Sequence, residues 1–550
     1  MVPNEPPAPS RLALNGLHSR AGAGIPDDVT VTVISQAAGR VYGQVVPDRA
    51  HISVVRGTTS VVRAMATHVA NAAVQLTGLA RLAFLAAQDN AALVAASGGA
   101  TAVATGMAAH QRDVRIAQAG CLVAGLPGSA QAMVAAGVIP ASVVMAMRCH
   151  PSDPALQRQG LQALAAALAT GDLSMTRGTK GQVAEQRDGS VDSVDAAVDA
   201  VVSASLAFQT DAQLQARACD AIGAFAASVE ACAAAIEAGA LRSVVMAMRR
   251  HTHDPAVQAS GTFALARLAA GGPLIKERVT VDGGAEAVAS ALLLLPQLAA
   301  SIPPVVAVPP PSLDTLRMMA TGCAALGRMA TGRGTLTPVE RHCKRMAVEV
   351  GATEAVMGAM QAVCGQLVFE HARGGTRREV AGLALREGCH ALCNLAAGEN
   401  VCKQALERCG AAALLVAVMR ALPSDLYVRR EACEILRFLS NWDETTLVTA
   451  AAAAVVAALR VHVADEALRV SGTRALWNMG SASAACKRAV IAAGGLGALA
   501  PHAEGKGGWA ALSARSRLPE EVGGFEVFRL KTGDFDSPPW HKLRTTDTRS

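Results

Sequence analysis

Five residues able to ligate a metal or undergo redox chemistry lie close together in the chain: Cys389, His390, Cys393, Cys402 and Cys409. Cys389 and Cys393 stand at i, i+4, a spacing that puts two thiols on one helix face, where a soft cation could take them. Both positions also fall inside a Leu-rich apolar run, in which Cys serves as a small hydrophobe, so no metal is expected there. His251 and His253 flank a turn and read as exposed turn residues. No Gly-x-Ser-x-Gly, His-Glu-x-x-His or phosphate-loop motif occurs. Gly533-Asp-Phe-Asp-Ser537 lacks the Lys strand and catalytic loop that a kinase metal motif needs. The expectation is a chain with no catalytic residue, no cofactor and no small-molecule substrate.

The composition agrees with this. Apolar residues make up 51% of the 550, aromatics 3% and charged residues 17%, the last below the roughly 25% usual for globular proteins. Such a chain can bury a large core but has little material for a catalytic cluster. A net charge of +6 spread over this length is a weak field without a concentrated basic stripe, so nucleic acid is not an expected partner. The 13 Cys are odd in number and form no CxxC pair. They read as reduced core thiols, which points to the cytosol or nucleus. Met1-Val-Pro-Asn-Glu-Pro-Pro has no basic region followed by an apolar one, so no secretory leader is expected. Residues 287–313 carry no charge, but Pro296, Pro303, Pro304 and Pro309 to Pro311 interrupt them. They read as a core helix ending near Leu295 and a Pro-rich loop rather than a membrane span.

The elements that must position any site come from an internal repeat. Val143-Val-Met-Ala-Met-Arg-Cys-His-Pro-Ser-Asp-Pro-Ala-Leu156 returns as Val244-Val-Met-Ala-Met-Arg-Arg-His-Thr-His-Asp-Pro-Ala-Val257. Ser260-Gly-Thr262 returns as Ser471-Gly-Thr473. A small residue opens each unit, at Gly57, Gly99, Gly137, Gly239, Gly284, Gly351, Gly410, Ala453 and Gly495, and several spacings lie near 42. Asp211 to Ile222 is a cryptic unit. Each unit holds an apolar helix, a polar turn often built on Asp-Pro, and a longer helix with a buried stripe such as Val257, Gly261, Leu265 and Leu268. The Gly in the stripe predicts close approach of a neighbouring backbone. No unit of this length buries both faces alone, so the units stack.

These units resemble armadillo repeats. The strongest matches are Ala391-Leu-Cys-Asn-Leu-Ala-Ala-Gly-Glu-Asn400 followed by Gly410-Ala, and Ala475-Leu-Trp-Asn-Met479 followed by Ala493-Gly-Gly495. The Val-Val-x-Ala-Met-Arg-x-His helix is similar to algal and protist arrays and to the armadillo region of leucine-rich-repeat kinases. The resemblance implies an all-α, right-handed solenoid of about nine to ten units over residues 30–502, with two-helix HEAT packing as the runner-up. Residues 1–29 would be a disordered, Pro-rich N-terminus. A loop insertion would occupy 171–193 and a Pro-rich loop 296–313.

The resemblance also implies a binding face. In armadillo arrays the third helices line a concave groove, where Asn side chains grip the backbone of an extended peptide. The corresponding slot reads Phe84, Ala124, Ala166, Ala224, Arg267, Arg328, Asn394, Phe438 and Asn478. Asn394 and Asn478 would hold a peptide backbone, and Arg267 and Arg328 would draw acidic groups; the alternative is that all four are solvated or inter-repeat residues. The import-receptor pattern, a Trp one turn before the Asn, is missing: His390 and Arg474 stand there, and Trp477 reads as core.

The tail, 503–550, breaks the pattern. It holds Trp509, Phe525, Phe528, Phe535 and Trp540. A docking segment, a flexible extension and a gene-model artefact all remain open. The expected function is a non-catalytic protein–protein interaction scaffold whose partner is a protein. The alternative is the recognition arm of a kinase or ubiquitin ligase whose catalytic part lies on another chain.

Overall fold

The computed structural model describes residues 50–495 apart from 127, 170–193, 228, 301–311, 333–335, 370–374, 398–399, 441 and 443. The segments 1–29, 171–193 and 503–550 therefore lie outside the described residues, as does most of 296–313. All regular structure among the described residues is helical. The described residues form two compact units, divided between His150 and Pro151.

The first unit contains α1 (Ala50–Thr67), α2 (Ala72–Leu85), α3 (Ala91–Val94), α4 (Ala100–Ala109), α5 (Val114–Ala124), α6 (Ala130–Ala135) and α7 (Val143–Cys149). Helices α1 and α2 pack as a pair, α2 packs on α5, and the short α3 joins α4 through a turn. At that turn Gly98 has φ 90°, and a Cβ on Gly99 would strike the carbonyl of Val94. The two glycines have separate jobs: the first reverses the chain and the second lets the new helix start against the old one. The run Ala91–Ala109 is apolar and long enough to cross a membrane, but it is half buried and broken at this turn.

The second unit opens with α8 (Pro154–Ala169), α9 (Val194–Ala207) and α10 (Ala212–Phe225). Complete triplets follow. They are α11 (Val229–Glu237), α12 (Ala240–Arg250) and α13 (Pro255–Leu268); then α14 (Pro273–Val279), α15 (Ala285–Ala300) and α16 (Leu313–Met329). Next come α17 (Pro338–Glu349), α18 (Ala352–Phe369) and α19 (Thr376–Ala396), then α20 (Asn400–Arg408), α21 (Ala411–Ala421) and α22 (Leu426–Leu436). The unit ends with α23 (Thr445–Val461), α24 (Glu466–Ala482) and α25 (Ala484–Ala492). Like packs on like. The third helices α8, α10, α13, α16, α19, α22 and α24 form one layer, α9, α12, α15, α18, α21 and α23 a second, and α11, α14, α17 and α20 another. Three helices per unit is the armadillo form, not the two-helix HEAT form. Among the described residues no first helix precedes α23; the segment before it carries Trp442, 2% exposed, whose Nε1 donates to Leu439 O at 3.1 Å.

The third helices start where a side chain can serve orphan amides. Asn71, Asp113, Asp211, Asp254, Asp425 and Asp465 cap their helices, and Pro255 follows Asp254 at the first helical position.

Several expectations are corrected. Helix α15 runs through Pro296 to Ala300. The proline removes one amide from the ladder, and that loss does not end the helix. Gly57 and Ala453 lie inside α1 and α23 and open nothing. At 98–99, 283–284 and 494–495 the left-handed residue is the first Gly of the pair, one before the residue read as the opener. The stripe glycine admits a side chain rather than a backbone. A Cβ on Gly261 would lie 2.6 Å from Met248 Sδ, and one on Gly78 would lie 2.5 Å from Met65 Cγ.

Candidate functional site

The slot residues sit at the C-terminal ends of the third helices. Asn394 is 2% exposed, and its Nδ2 donates to Gly327 O at 2.9 Å. Asn478, half-buried, donates from Nδ2 to Arg437 O. Arg328 is exposed, and its Nη1 donates to Ala266 O at 2.8 Å. In each case the acceptor precedes the slot residue of the neighbouring unit by one position. Arg267 is half-buried and its Nε has no hydrogen-bond partner. Three of the four groove candidates thus reach back to the preceding third helix. The peptide-gripping role expected for the Asn394 amide is corrected: its donor is buried and already engaged. Here Gly327 lets α16 and α19 close, with Ala391 Cα only 3.2 Å from where a Cβ would stand.

Two further ladders were not read from the sequence. Gln75, Gln215 and Gln258, four residues after their capping residues, are buried. Gln258 Nε2 donates to Met248 O at 2.8 Å and His251 O at 2.9 Å. Gln75 and Gln215 bond the ends of their own second helices in the same way. His110, His150 and His251 each place Nε2 against a carbonyl about one repeat back, at Val69, Gln111 and Gln209. His251 is therefore half-buried and bonded, which corrects its reading as an exposed turn residue; His253 is exposed. The recurring Asp/Asn-x-x-x-Gln spacing was the available signal.

The face of the third-helix layer in the second unit keeps large side chains in solvent. Phe263 is 40% exposed and lies over Gly223, where a Cβ would meet its Cδ1 at 2.6 Å. Tyr427 is 38% exposed, and its hydroxyl is 2.8 Å from His390 Nδ1. The buried Glu431 lies 3.5 Å from the same nitrogen, so a polar network joins α19 to α22. Trp477, expected in the core, is only half-buried. Arg386 and Arg430 pair with Asp425 and Asp465, each of which also caps the next third helix.

The thiols are mostly shielded, with Cys149 the exposed one. Eleven of the 13 are buried. Burial pushes Cys121, Cys219, Cys323 and Cys433 up to about 12, and it pushes Cys389 well above the usual thiol range. Among the described residues no three His, Cys, Asp or Glu come together as metal ligands.

No protein-family model matches the sequence, and no curated protein matches it. Among solved structures the chain is similar to an engineered protein from the Northeast Structural Genomics Consortium. The two share 20% identity and a TM-score of 0.56 over 82% of this chain and 95% of that one. That likeness spans the units whose three-helix build is described above. The chain has an armadillo-repeat fold. Weaker likenesses are to the structure reported for a phosphorylation switch between cadherin and beta-catenin, and to a designed armadillo repeat protein in complex with the peptide (KR)4. The first has 13% identity and a TM-score of 0.46, covering 84% of this chain and 94% of that one. The second has 18% identity and a TM-score of 0.34, covering 51% and 98%.

Proposed function

We propose that this armadillo array is a non-catalytic scaffold that binds an extended segment of another protein along the third-helix face of its second unit. The observation that carries the reading is the set of anchors left on that face. Phe263 and Tyr427 are held against the preceding third helices, at Gly223 and His390, yet exposed, and Arg267, Arg328 and Arg474 share the layer. Aromatic and Arg side chains supply most of the energy at protein interfaces. Anchors already held in place lose little entropy on binding. A layer of stacked helices also presents them at repeated spacings to an extended chain.

Roles divide within the slot. Asn394 and Asn478 hold adjacent units together behind the face, whereas Arg267 and Arg328 meet acidic groups of the partner. The free, mostly buried thiols suit a scaffold of the cytosol or nucleus.

Photo-crosslinking tests the reading. A photoreactive phenylalanine is placed at Phe263 or Tyr427, and as controls at Leu293 and Val461, which are exposed on second helices. The full chain is then irradiated in its own cell. One protein crosslinked from both third-helix positions and from neither control is the expected result. Crosslinks from the controls alone would overturn the reading.

A further inference from the structure

We propose that a cleft between α9 and α12 takes the side chain of a tyrosine from a second partner protein. It lies among the second helices, in a different layer from the third-helix face, and does not depend on what that face binds.

The cleft lies where the repeat departs from its own packing rule. The buried glutamines mark equivalent positions: Gln75 bonds Met65 O, Gln258 bonds Met248 O and Gln215 bonds Ser205 O. Met65 and Met248 fill the space over Gly78 and Gly261, three residues after those glutamines. In α9 and α10 the same two places hold Ser205 and Ala218. The methyl gained is smaller than the thioether lost, and a cleft of about 320 Å³ opens beside Ser205, at the low end of the size of ligand sites. A buried serine costs more than the methionine it replaces. Local rules broken at a cost mark functional places.

Ser205, Gln215 and Ser243 form the buried floor. Both hydrogens of the Gln215 amide go to carbonyls, Ser205 O at 2.7 Å and Phe208 O at 3.0 Å. Its Oε1 therefore accepts, and Ser205 Oγ donates to it at 2.8 Å. Ser205 has no second hydrogen, so Ser243 Oγ donates to Ser205 Oγ at 2.6 Å. Every side-chain hydrogen of the floor is spent. Ser243 Oγ keeps lone pairs to which nothing donates among the described residues. The floor accepts and cannot donate.

Leu206 and Met246 line the sides, with Gln209, Arg249 and Arg250 at the mouth. Gln209 Nε2 donates to Leu206 O at 3.2 Å, and Arg249 pairs with Glu286. Arg250 is exposed, with no ion pair among the described residues. The occupant needs an apolar body and a donor at its inner end. An ammonium carries donors but is repelled by the guanidinium groups at the mouth. A carboxylate drawn to the arginines finds no donor on the floor. Tryptophan carries its N–H on the flank of a wider ring. Tyrosine meets each condition: its O–H reaches the floor, its ring edge suits the Met246 thioether, and its face suits Arg250.

The test uses the full chain with 13C-methyl methionine, its Met246 signal assigned from Met246→Leu. The probes are blocked alanine pentapeptides with tyrosine, O-methyltyrosine or phenylalanine at the centre. O-methyltyrosine keeps the ring and the oxygen but has no hydrogen to give. The tyrosine peptide should shift the Met246 signal and bind about tenfold tighter than the other two. Ser205→Met/Ala218→Gly restores the pairing of the other units and should lose the binding, with melting unchanged or raised. Ser243→Val covers the floor with methyl groups and should erase the preference for tyrosine. If the double variant melts lower than the wild type, Ser243→Val decides. No shift at about 10 mM tyrosine peptide, equal binding of the three peptides, or a tyrosine preference kept by Ser243→Val overturns the site. So does undiminished binding in the double variant.

Discussion

Asn394 donates from Nδ2 to the carbonyl of Gly327 at 2.9 Å, and the acceptor stands one position before Arg328, which reaches the carbonyl of Ala266 in the same way. With Asn478 bonding Arg437 O, the slot row becomes a series of staples along the third-helix layer. A side-chain type that grips a partner in a wide groove closes the array where small residues let helices approach. Removing the donor leaves a buried carbonyl unpaired. Asn394→Ala should therefore destabilise the second unit by about 1–3 kcal/mol, read as a lower urea midpoint and as faster amide exchange in α16 and α19.

At three of the stripe glycines a Met thirteen positions earlier fills the space: 65 and 78, 107 and 120, 248 and 261. Gly261→Ala would drive a methyl into Met248 near the start of its side chain. A loss of about 1–3 kcal/mol is expected. In the Met248→Ala background the added methyl has room, so the two losses should fall short of additive in a denaturant double-mutant cycle.

Gly358 and Gly382 are helical glycines with nothing within 4 Å of an added Cβ. Ala there should stabilise the chain by about 0.5–1 kcal/mol, seen as a rise in the urea midpoint. These two variants separate packing from helix propensity.

Asp465 predicts a pH dependence. Burial opposes its charge. The hydrogen bond from Arg430 and the capped amide of Leu468 outweigh that and hold its carboxyl below the usual range. A depressed carboxylate stabilises the fold above its unfolded pKa of about 3.9. That contribution disappears as pH falls through the lower, folded value. Asp465→Asn keeps a capping oxygen but not the charge. Its melting temperature should start below that of the wild type near neutrality and converge with it in acid.

Much of the fold was legible because its signals are local. The Asp-Pro turns, the small residues at turns and the apolar stripe of Val257, Gly261, Leu265 and Leu268 all act within one unit, and the cryptic unit from Asp211 is indeed α10. Contacts one repeat apart were harder to see. His251 looked like a turn residue because its acceptor, Gln209 O, is 42 positions away. The glycine of the stripe was marked as a place where a backbone comes close, whereas the Met248 side chain, from the second helix of the same unit, enters it. The slot residues fall at the C-terminal ends of the third helices, yet whether Asn394 faces a partner or a neighbouring helix depends on inter-helix spacing, which no single unit encodes. Pro296 misled because a proline near a helix end more often stops the helix than bends it.

Hydrogen exchange on the full chain, alone and in complex with the protein captured by crosslinking, tests the central claim most directly. Slower exchange in α13, α16, α19, α22 and α24, with α12, α15, α18 and α21 unchanged, is the result predicted for a partner lying along the third-helix face. Protection confined to the second helices would contradict it.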